Sequence, residues 1–423
     1  MNIKNRIRTL FLAVSSMLVL SSCTQSTVPI KCTLRGVVID RPQSSQLLLL
    51  KQGDDPRINA VYIPINDGKF EYVLNCEHEE QYEIIFNDEF ERGGSVRLVK
   101  FFSERGVINF TLYPEDRFIE NIVEGGKLTK EYRNYLIPIL KKYEAIEKEF
   151  LAKSKQYFEE NFGEVLNKNE RLEDDLRSKV EQLGKEGVDI KPVIQVITEM
   201  EQSLYKEANQ EIKLLTLQFI KEHPTIAGYS VLISEVNSML QRNRLYQETN
   251  DISPYADLYQ TVFASKFPNH PYSERMQNLF AGASIKAGVP FVDFTTNDLN
   301  GNPVKLSERI KGKPAVLNLW ASWCGPCRKK GKDLIPVYEE FRDKGFVVIG
   351  VARERNVSTA ETAVKTDKYP WENLVELNDA EKIWEKYGIG NSGGMIFLID
   401  ENGIIVANDP SVNEIREFLI KKL

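Results

Sequence analysis

Pro314-Ala315-Val316-Leu317-Asn318-Leu319-Trp320-Ala321-Ser322-Trp323-Cys324-Gly325-Pro326-Cys327 decides how this chain is read. The apolar run through Leu319 reads as a buried strand. Arg328–Phe341 carries Leu334, Val337, Tyr338 and Phe341 at helical spacing and reads as a helix. The two cysteines therefore sit where a strand turns into a helix. Open N–H groups and the dipole of a helix N-terminus stabilise a thiolate there. Cys324 is expected to be the exposed nucleophile. Cys327, three residues on along the same helical face, is placed to resolve a mixed disulfide. A Cys-x-x-Cys pair is also half of a zinc ligand set. No second pair follows, and His78, His223 and His270 all lie outside this segment, so no metal site is expected. The only cofactor-like element is the Cys324–Cys327 couple itself.

Two flanking stretches share a pattern with this core. One runs from Val289-Pro290-Phe291 to Leu299-Asn300-Gly301, and the other is Phe397-Leu398-Ile399-Asp400 followed by Asn402-Gly403. With Trp-Cys-Gly-Pro-Cys between them, the segment from about 288 to the C-terminus resembles the TlpA/ResA-like thiol–disulfide oxidoreductases of the thioredoxin superfamily. The local patterns agree with its β-α-β-α-β-β-α order. The strand to Leu319 is followed by the active-site helix, a strand at Phe346–Ala352 and a helix near Ser358–Thr366. A helix at Ala380–Tyr387, a hairpin from Met395–Asp400 to Ile404–Ala407 and a closing helix at Glu414–Lys421 complete it. Ser358–Trp371 resembles the family's central insertion.

The resemblance implies roles for further residues. Trp320 and Trp323 flank the disulfide, one beneath and one at the rim, and Gly325 and Pro326 help set its potential. A buried acid is implied six residues before the first cysteine, where this chain has Asn318, which cannot shuttle a proton. Glu354, just past the Phe346–Ala352 strand, is the substitute acid–base candidate; a salt bridge to Arg353 or Arg355 is the competing reading. A helix-kinking proline is implied where Lys332 stands, so a straighter helix is expected. The superfamily's cis-proline opposite the disulfide has no counterpart in Gly390-Asn391-Ser392-Gly393-Gly394. Gly393 and Gly394 are then the substrate-docking loop, expected to be mobile and to use glycine's backbone freedom.

The start of the chain reads as targeting rather than fold. Lys4, Arg6 and Arg8 precede an apolar Leu10–Leu20, too short to span a bilayer but suited to a signal peptide. Leu20-Ser21-Ser22-Cys23 looks like a bacterial lipoprotein box. It implies a signal peptide over 1–22, lipidation of Cys23 and a tether over 23–30. Acyl chains anchor a protein at ~0.8 kcal/mol per buried methylene. An ordinary cleaved signal is the plainer alternative. The expected location is the cell envelope, lipid-anchored and facing the periplasm, where disulfides are permitted. At 423 residues with 42% hydrophobic and 27% charged residues, the chain reads as a soluble protein of two or three domains. A net charge of −6 without a basic tract gives no reason to expect nucleic acid.

Short β-rich runs separated by turn signals such as Asn66-Asp67-Gly68 fill residues 31–125 and predict an antiparallel β-sandwich. Its pattern and order resemble the β-rich domain found ahead of thioredoxin-like domains in Bacteroidota lipoproteins. Cys32 and Cys76 lie within it, either as a structural disulfide or as two unpaired buried thiols, and both readings stand. Residues 126–282 switch to helical spacing, with Tyr132, Leu136, Ile139, Tyr143, Ile146 and Phe150 on one face. His223-Pro224 and Ser253-Pro254 mark breaks, and the charged Glu144–Glu181 stretch reads as solvated helix. Residues 283–423 form the thioredoxin-like domain. The fold class is multidomain: β-sandwich, helical region, then α/β thioredoxin-like fold.

The functional expectation is an extracytoplasmic oxidoreductase that reduces protein disulfides. Its partners are envelope proteins with thiols or disulfides and a membrane electron donor. A binding or redox-sensing lipoprotein that uses the fold as scaffold is the non-enzymatic alternative. A thiol peroxidase is disfavoured because Leu317 and Ala321 stand where a Pro-x-x-x-Thr-x-x-Cys arrangement needs proline and threonine.

Overall fold

The computed structural model describes residues 29–93, 96–166, 176–245 and 250–423. The leader and Cys23 lie outside them. Among the described residues no helix is long and apolar enough to cross a membrane.

Eight strands come first: β1 (Ile30–Val38), β2 (Gln46–Lys51), β3 (Val61–Pro64), β4 (Lys69–Cys76), β5 (Gln81–Phe86), β6 (Val99–Phe102), β7 (Gly106–Leu112) and β8 (Ile122–Glu124). They form two four-stranded sheets, β4-β1-β7-β8 and β3-β2-β5-β6. Leu34, Phe70, Ile108 and Phe110 of the first sheet share one buried cluster with Leu47, Leu49, Ile84 and Phe101 of the second. The expected all-antiparallel pairing fails at one place. β1 and β7 run parallel, with Leu34 opposite Ile108, because the chain builds the second sheet before β7 returns beside β1.

Cys32 and Cys76 are both free and buried, which removes the disulfide reading. On the antiparallel β1–β4 pair Cys32 faces Leu74, and Cys76 faces Ile30. The cysteines are thus diagonal neighbours, roughly 7–8 Å apart in such a ladder and beyond a bridge's reach. Burial pushes the Cys32 thiol up to about 12, so it is inert.

Helices dominate the described residues between Lys127 and Ala283. The first runs 40 residues, Lys127–Leu166, with Tyr132, Ile139 and Ile146 buried at the expected spacing and Pro138 inside it. Its outer half turns a charged face to solvent, with i,i+4 pairs such as Glu144–Lys148 and Glu149–Lys153, and buries Phe158 and Leu166 against Leu183 and Val193. His223 caps the helix Ile190–Glu222, and Ser253-Pro254 begins another. Phe102 of β6 joins the helical core beside Tyr132 and Phe219, so sheet and helices share a buried boundary.

The last strands are β9 (Thr295–Asp298), β10 (Pro303–Lys305), β11 (Ala315–Trp320), β12 (Val347–Glu354), β13 (Glu372–Leu377), β14 (Met395–Ile399) and β15 (Ile405–Asn408). They make one seven-stranded sheet in the order β10-β9-β13-β12-β11-β14-β15. β11 lies inside the sheet, parallel to β12 and antiparallel to β14. Its residues alternate between two cores, as period-two side chains must. Ala315, Leu317 and Leu319 meet Trp384, Tyr387 and Phe397; Val316 and Trp320 meet Leu334, Val337, Phe341 and Trp371.

Three local expectations shift. β13 was not legible, because Glu372, Asn373 and Glu376 interrupt its apolar residues, yet it is buried along most of its length. The helix expected over Ala380–Tyr387 shrinks to Ile383–Lys386. The active-site helix Gly325–Phe341 contains a proline, Pro336, one turn beyond Lys332, so the lack of a proline at Lys332 is no ground for a straighter helix.

Candidate functional site

β11 delivers the cysteines to the carboxyl edge of the sheet, and the helix Gly325–Phe341 begins there with Cys324 as its N-cap. Cys324 and Cys327 are disulfide-bonded, with Cα atoms 5.3 Å apart. The Cys327 N–H donates to Cys324 Sγ at 3.3 Å. The N-cap sulfur thus faces the open amides of the first turn, where a thiolate is stabilised.

Exposure does not single out Cys324 as expected. Its relative exposure is 9%, whereas Cys327 is half-buried. The reason is the loop opposite. A methyl group built on Gly393 would stand 2.3 Å from Cys324 Sγ and 3.1 Å from Cys327 Sγ, and one on Gly394 would stand 2.0 Å from the Leu319 carbonyl oxygen. Neither residue has a positive φ. Glycine is needed here for close approach to the sulfurs rather than for unusual backbone angles, which corrects the expectation of a loop that exploits glycine's freedom.

That loop is also tied down. Asn391 donates to the carbonyls of Gly53 and Asp54 at 3.3 and 3.1 Å, and its own carbonyl accepts from Arg57 Nη2 at 2.6 Å. Arg244 from the helices donates to the Gly388 carbonyl. A cavity of about 820 Å³ lies among the strands, helices and redox domain, and it touches the loop at Asn391, Ser392 and Met395.

Glu354 is the last residue of β12, not a residue beyond it. Parallel pairing sets Trp320 beside Ala352, so two residues further on Glu354 meets Ser322. Its Oε1 accepts the Ser322 N–H at 2.6 Å, and its Oε2 accepts the hydroxyls of Ser322 and Thr359 at 2.9 Å each. Both oxygens are occupied in holding the turn before Cys324. The geometry is that of a positioning carboxylate, and no salt bridge to Arg353 or Arg355 forms.

Asn318 is buried on β11 at 1% exposure, and its Nδ2 has no partner among the described residues. Trp320 is fully buried, edge-on to Tyr369 at 5.2 Å. Trp323 stands at the rim, and the Arg57 guanidinium stacks 3.6 Å over its ring. Gly325 and Pro326 are exposed between the cysteines.

Several residues had no signal in the sequence. Arg328 donates to both oxygens of Asp367 at 2.6 and 3.0 Å and to the Ser322 carbonyl at 3.3 Å. These bonds hold the Asp367 carboxyl below its usual range. Arg353, 3% exposed, pairs with Asp379 at 2.5 Å and with the fully buried Asp55 of the N-terminal part at 3.3 Å. Spacing carries no trace of a contact between residues so far apart in the chain.

Beside Arg353, Glu376 accepts the Ile383 N–H at 3.0 Å, and burial pushes its carboxyl up from 4.5 to about 7. The folded chain then holds this proton while the unfolded chain has released it. Stability is undiminished below pH ~4.5, falls as pH rises toward ~7, and levels off above, by about 3 kcal/mol in all. Glu376→Gln cannot titrate. Its melting temperature relative to the parent is expected to climb between pH 5 and pH 8, and an offset that stays constant with pH would refute this.

The AhpC/TSA family model matches residues 287–408. The thiol-disulfide oxidoreductase ResA of Bacillus anthracis is 30% identical over 151 residues, 35% of this chain and 75% of the relative. ResA of Bacillus subtilis (strain 168) is 30% identical over 131 residues, 30% of this chain and 70% of the relative. Among solved structures, the thioredoxin domain of a thiol-disulfide oxidoreductase from Bacteroides vulgatus is 31% identical. It covers 33% of this chain and 99% of its own, with a TM-score of 0.31.

Proposed function

Because the chain belongs to the ResA-like thiol–disulfide oxidoreductases of the thioredoxin superfamily, we propose that it is a lipid-anchored reductase of protein disulfides in the cell envelope. The observation that carries this reading is the Cys324–Cys327 disulfide with Cys324 capping a helix. In the dithiol form the Cys324 thiolate attacks one sulfur of a substrate disulfide. The substrate S–S bond breaks, its leaving sulfur takes up a proton, and a mixed disulfide forms on Cys324. Cys327 loses its proton and attacks Cys324 Sγ, releasing the second substrate thiol and closing the Cys324–Cys327 bond. Two electrons have passed to the substrate. An envelope dithiol donor reverses the exchange and restores the couple.

Glu354 serves this cycle by fixing the Ser322 turn, and Gly393 and Gly394 by bringing backbone up to the sulfurs. The two N-terminal sheets, read as the layers of a β-sandwich over 31–125, and the helices of 126–282 hold the docking loop from behind. Cys23 is the proposed attachment point for the lipid. Although the AhpC/TSA description invites peroxidase chemistry, Leu317 and Ala321 occupy the positions where that chemistry uses proline and threonine.

A redox titration of the pair, with Cys32 and Cys76 replaced by serine, tests the reading. A two-electron midpoint near that of thioredoxin, about −270 mV, is expected, whereas a value of about −120 to −180 mV would make the protein an oxidant or isomerase. A couple that does not cycle would leave only a binding role.

A further inference from the structure

Resting on that reading, we propose that Arg57 is a specificity-determining residue of the redox site, contributed from outside the thioredoxin-like domain. The short helical turn Pro56–Asn59 begins after Asp55, whose side chain caps it by accepting the Arg57 N–H. Arg57 then reaches both sides of the site. Its guanidinium lies 3.6 Å over the Trp323 ring, next to Cys324, and its Nη2 donates to the Asn391 carbonyl at 2.6 Å, two residues before Gly393. Trp323 belongs to the cysteine turn and Asn391 to the loop that faces the sulfurs. Arg57 therefore spans the two walls between which a substrate must pass.

The turn is held rigidly. Arg57 Nε and Nη2 donate to the two Asp55 oxygens at 2.8 and 2.7 Å. Asp55 is fully buried and also meets Arg353. Arg355 of the redox domain donates to the carbonyls of Pro56 and Ala60, each at 3.2 Å, and Asn59 donates to the Asn378 carbonyl at 3.0 Å. Donors and acceptors from both partners thus fix the turn beside the disulfide. Arg57 keeps a side chain 36% exposed, and among the described residues its Nη1 makes no hydrogen bond. The two N–H groups of Nη1 are the donors left for a substrate.

The substrate class this favours is a polypeptide running in extended form past its disulfide. Such a chain must cross between Trp323 and Asn391 and offers backbone carbonyls to Arg57. A small disulfide needs only the line of approach to Cys324 Sγ and leaves Arg57 idle. A lysine keeps the charge but lacks the planar fork that stacks and bonds at once, so Arg57→Lys is not expected to rescue Arg57→Ala.

The test uses the full chain with two reducible probes, insulin and 2-hydroxyethyl disulfide, and compares kcat/KM for each. In Arg57→Ala the preference for insulin over the small disulfide is expected to drop about tenfold, the size of one charge-assisted hydrogen bond, mainly through the insulin KM. Arg57→Lys should show most of the same drop. A preference ratio equal to the parent's overturns the proposal, because a purely structural tie lowers both activities alike. A ratio that rises overturns it too, since Arg57 would then be a lid over the site. Should the parent protein reduce neither probe, the reductase reading itself fails. Turnover of the small disulfide with an unmoved ratio sinks only the role of Arg57.

Discussion

A Cys327→Ser chain, reduced and mixed with a disulfide-bearing polypeptide, will stop at a covalent complex through Cys324, and a Cys324→Ser chain will trap nothing. Both lose essentially all turnover, because each exchange needs both sulfurs in sequence. Solvent exposure alone points the other way, since Cys324 is only 9% exposed while Cys327 is half-buried. The helix decides it. Cys324 is the N-cap and its sulfur already accepts the Cys327 N–H, whereas Cys327 sits inside the first turn, past the strongest part of that field. Non-reducing gels of the two variants distinguish the roles. A complex trapped through Cys327 instead would exchange them and make Gly393 a shield over the resolving sulfur.

The second large effect is on stability. Replacing Arg353 by methionine leaves Asp379 without its guanidinium partner in a buried site and Asp55 with Arg57 alone. Breaking a buried pair by removing one partner costs about 3–5 kcal/mol, because an uncompensated charge remains. The expected result is a large fall in melting temperature, with the Pro56–Asn59 turn released from the redox domain and open to proteolysis. Neutralising the stranded carboxylate as well, in Arg353→Met with Asp379→Asn, should recover much of the loss, since the desolvation penalty disappears along with the attraction. A single variant that melts like the parent would show that the cluster contributes nothing to joining the two parts.

The redox centre was legible because its determinants are local. An apolar run, a Cys-x-x-Cys and a helical repeat lie within 28 consecutive residues, 314–341, and each is recognised by its own period or spacing. The nearby shifts have equally local causes. Glu354 ended the strand instead of following it, since the parallel ladder to β13 extends β12 to that residue. β13 itself stayed hidden because Asn373 and Glu376 are polar residues that the fold buries. Neither the parallel β1–β7 pairing nor the separation of Cys32 from Cys76 could be had from spacing, which carries no strand order or register.

By itself the sequence determined the disulfide, its place at a strand–helix junction and the absence of a proline from the loop opposite. Only the tertiary structure decided what surrounds it. Gly393 is packed against the sulfurs, Glu354 is turned onto Ser322, and Arg57 is brought from the far end of the chain onto Trp323 and Asn391. Periodicity and capping act over a few residues and leave their mark in the order of letters. Contacts between Arg57 and Trp323, or Asp55 and Arg353, depend on how separately folded parts dock, and no local preference records that.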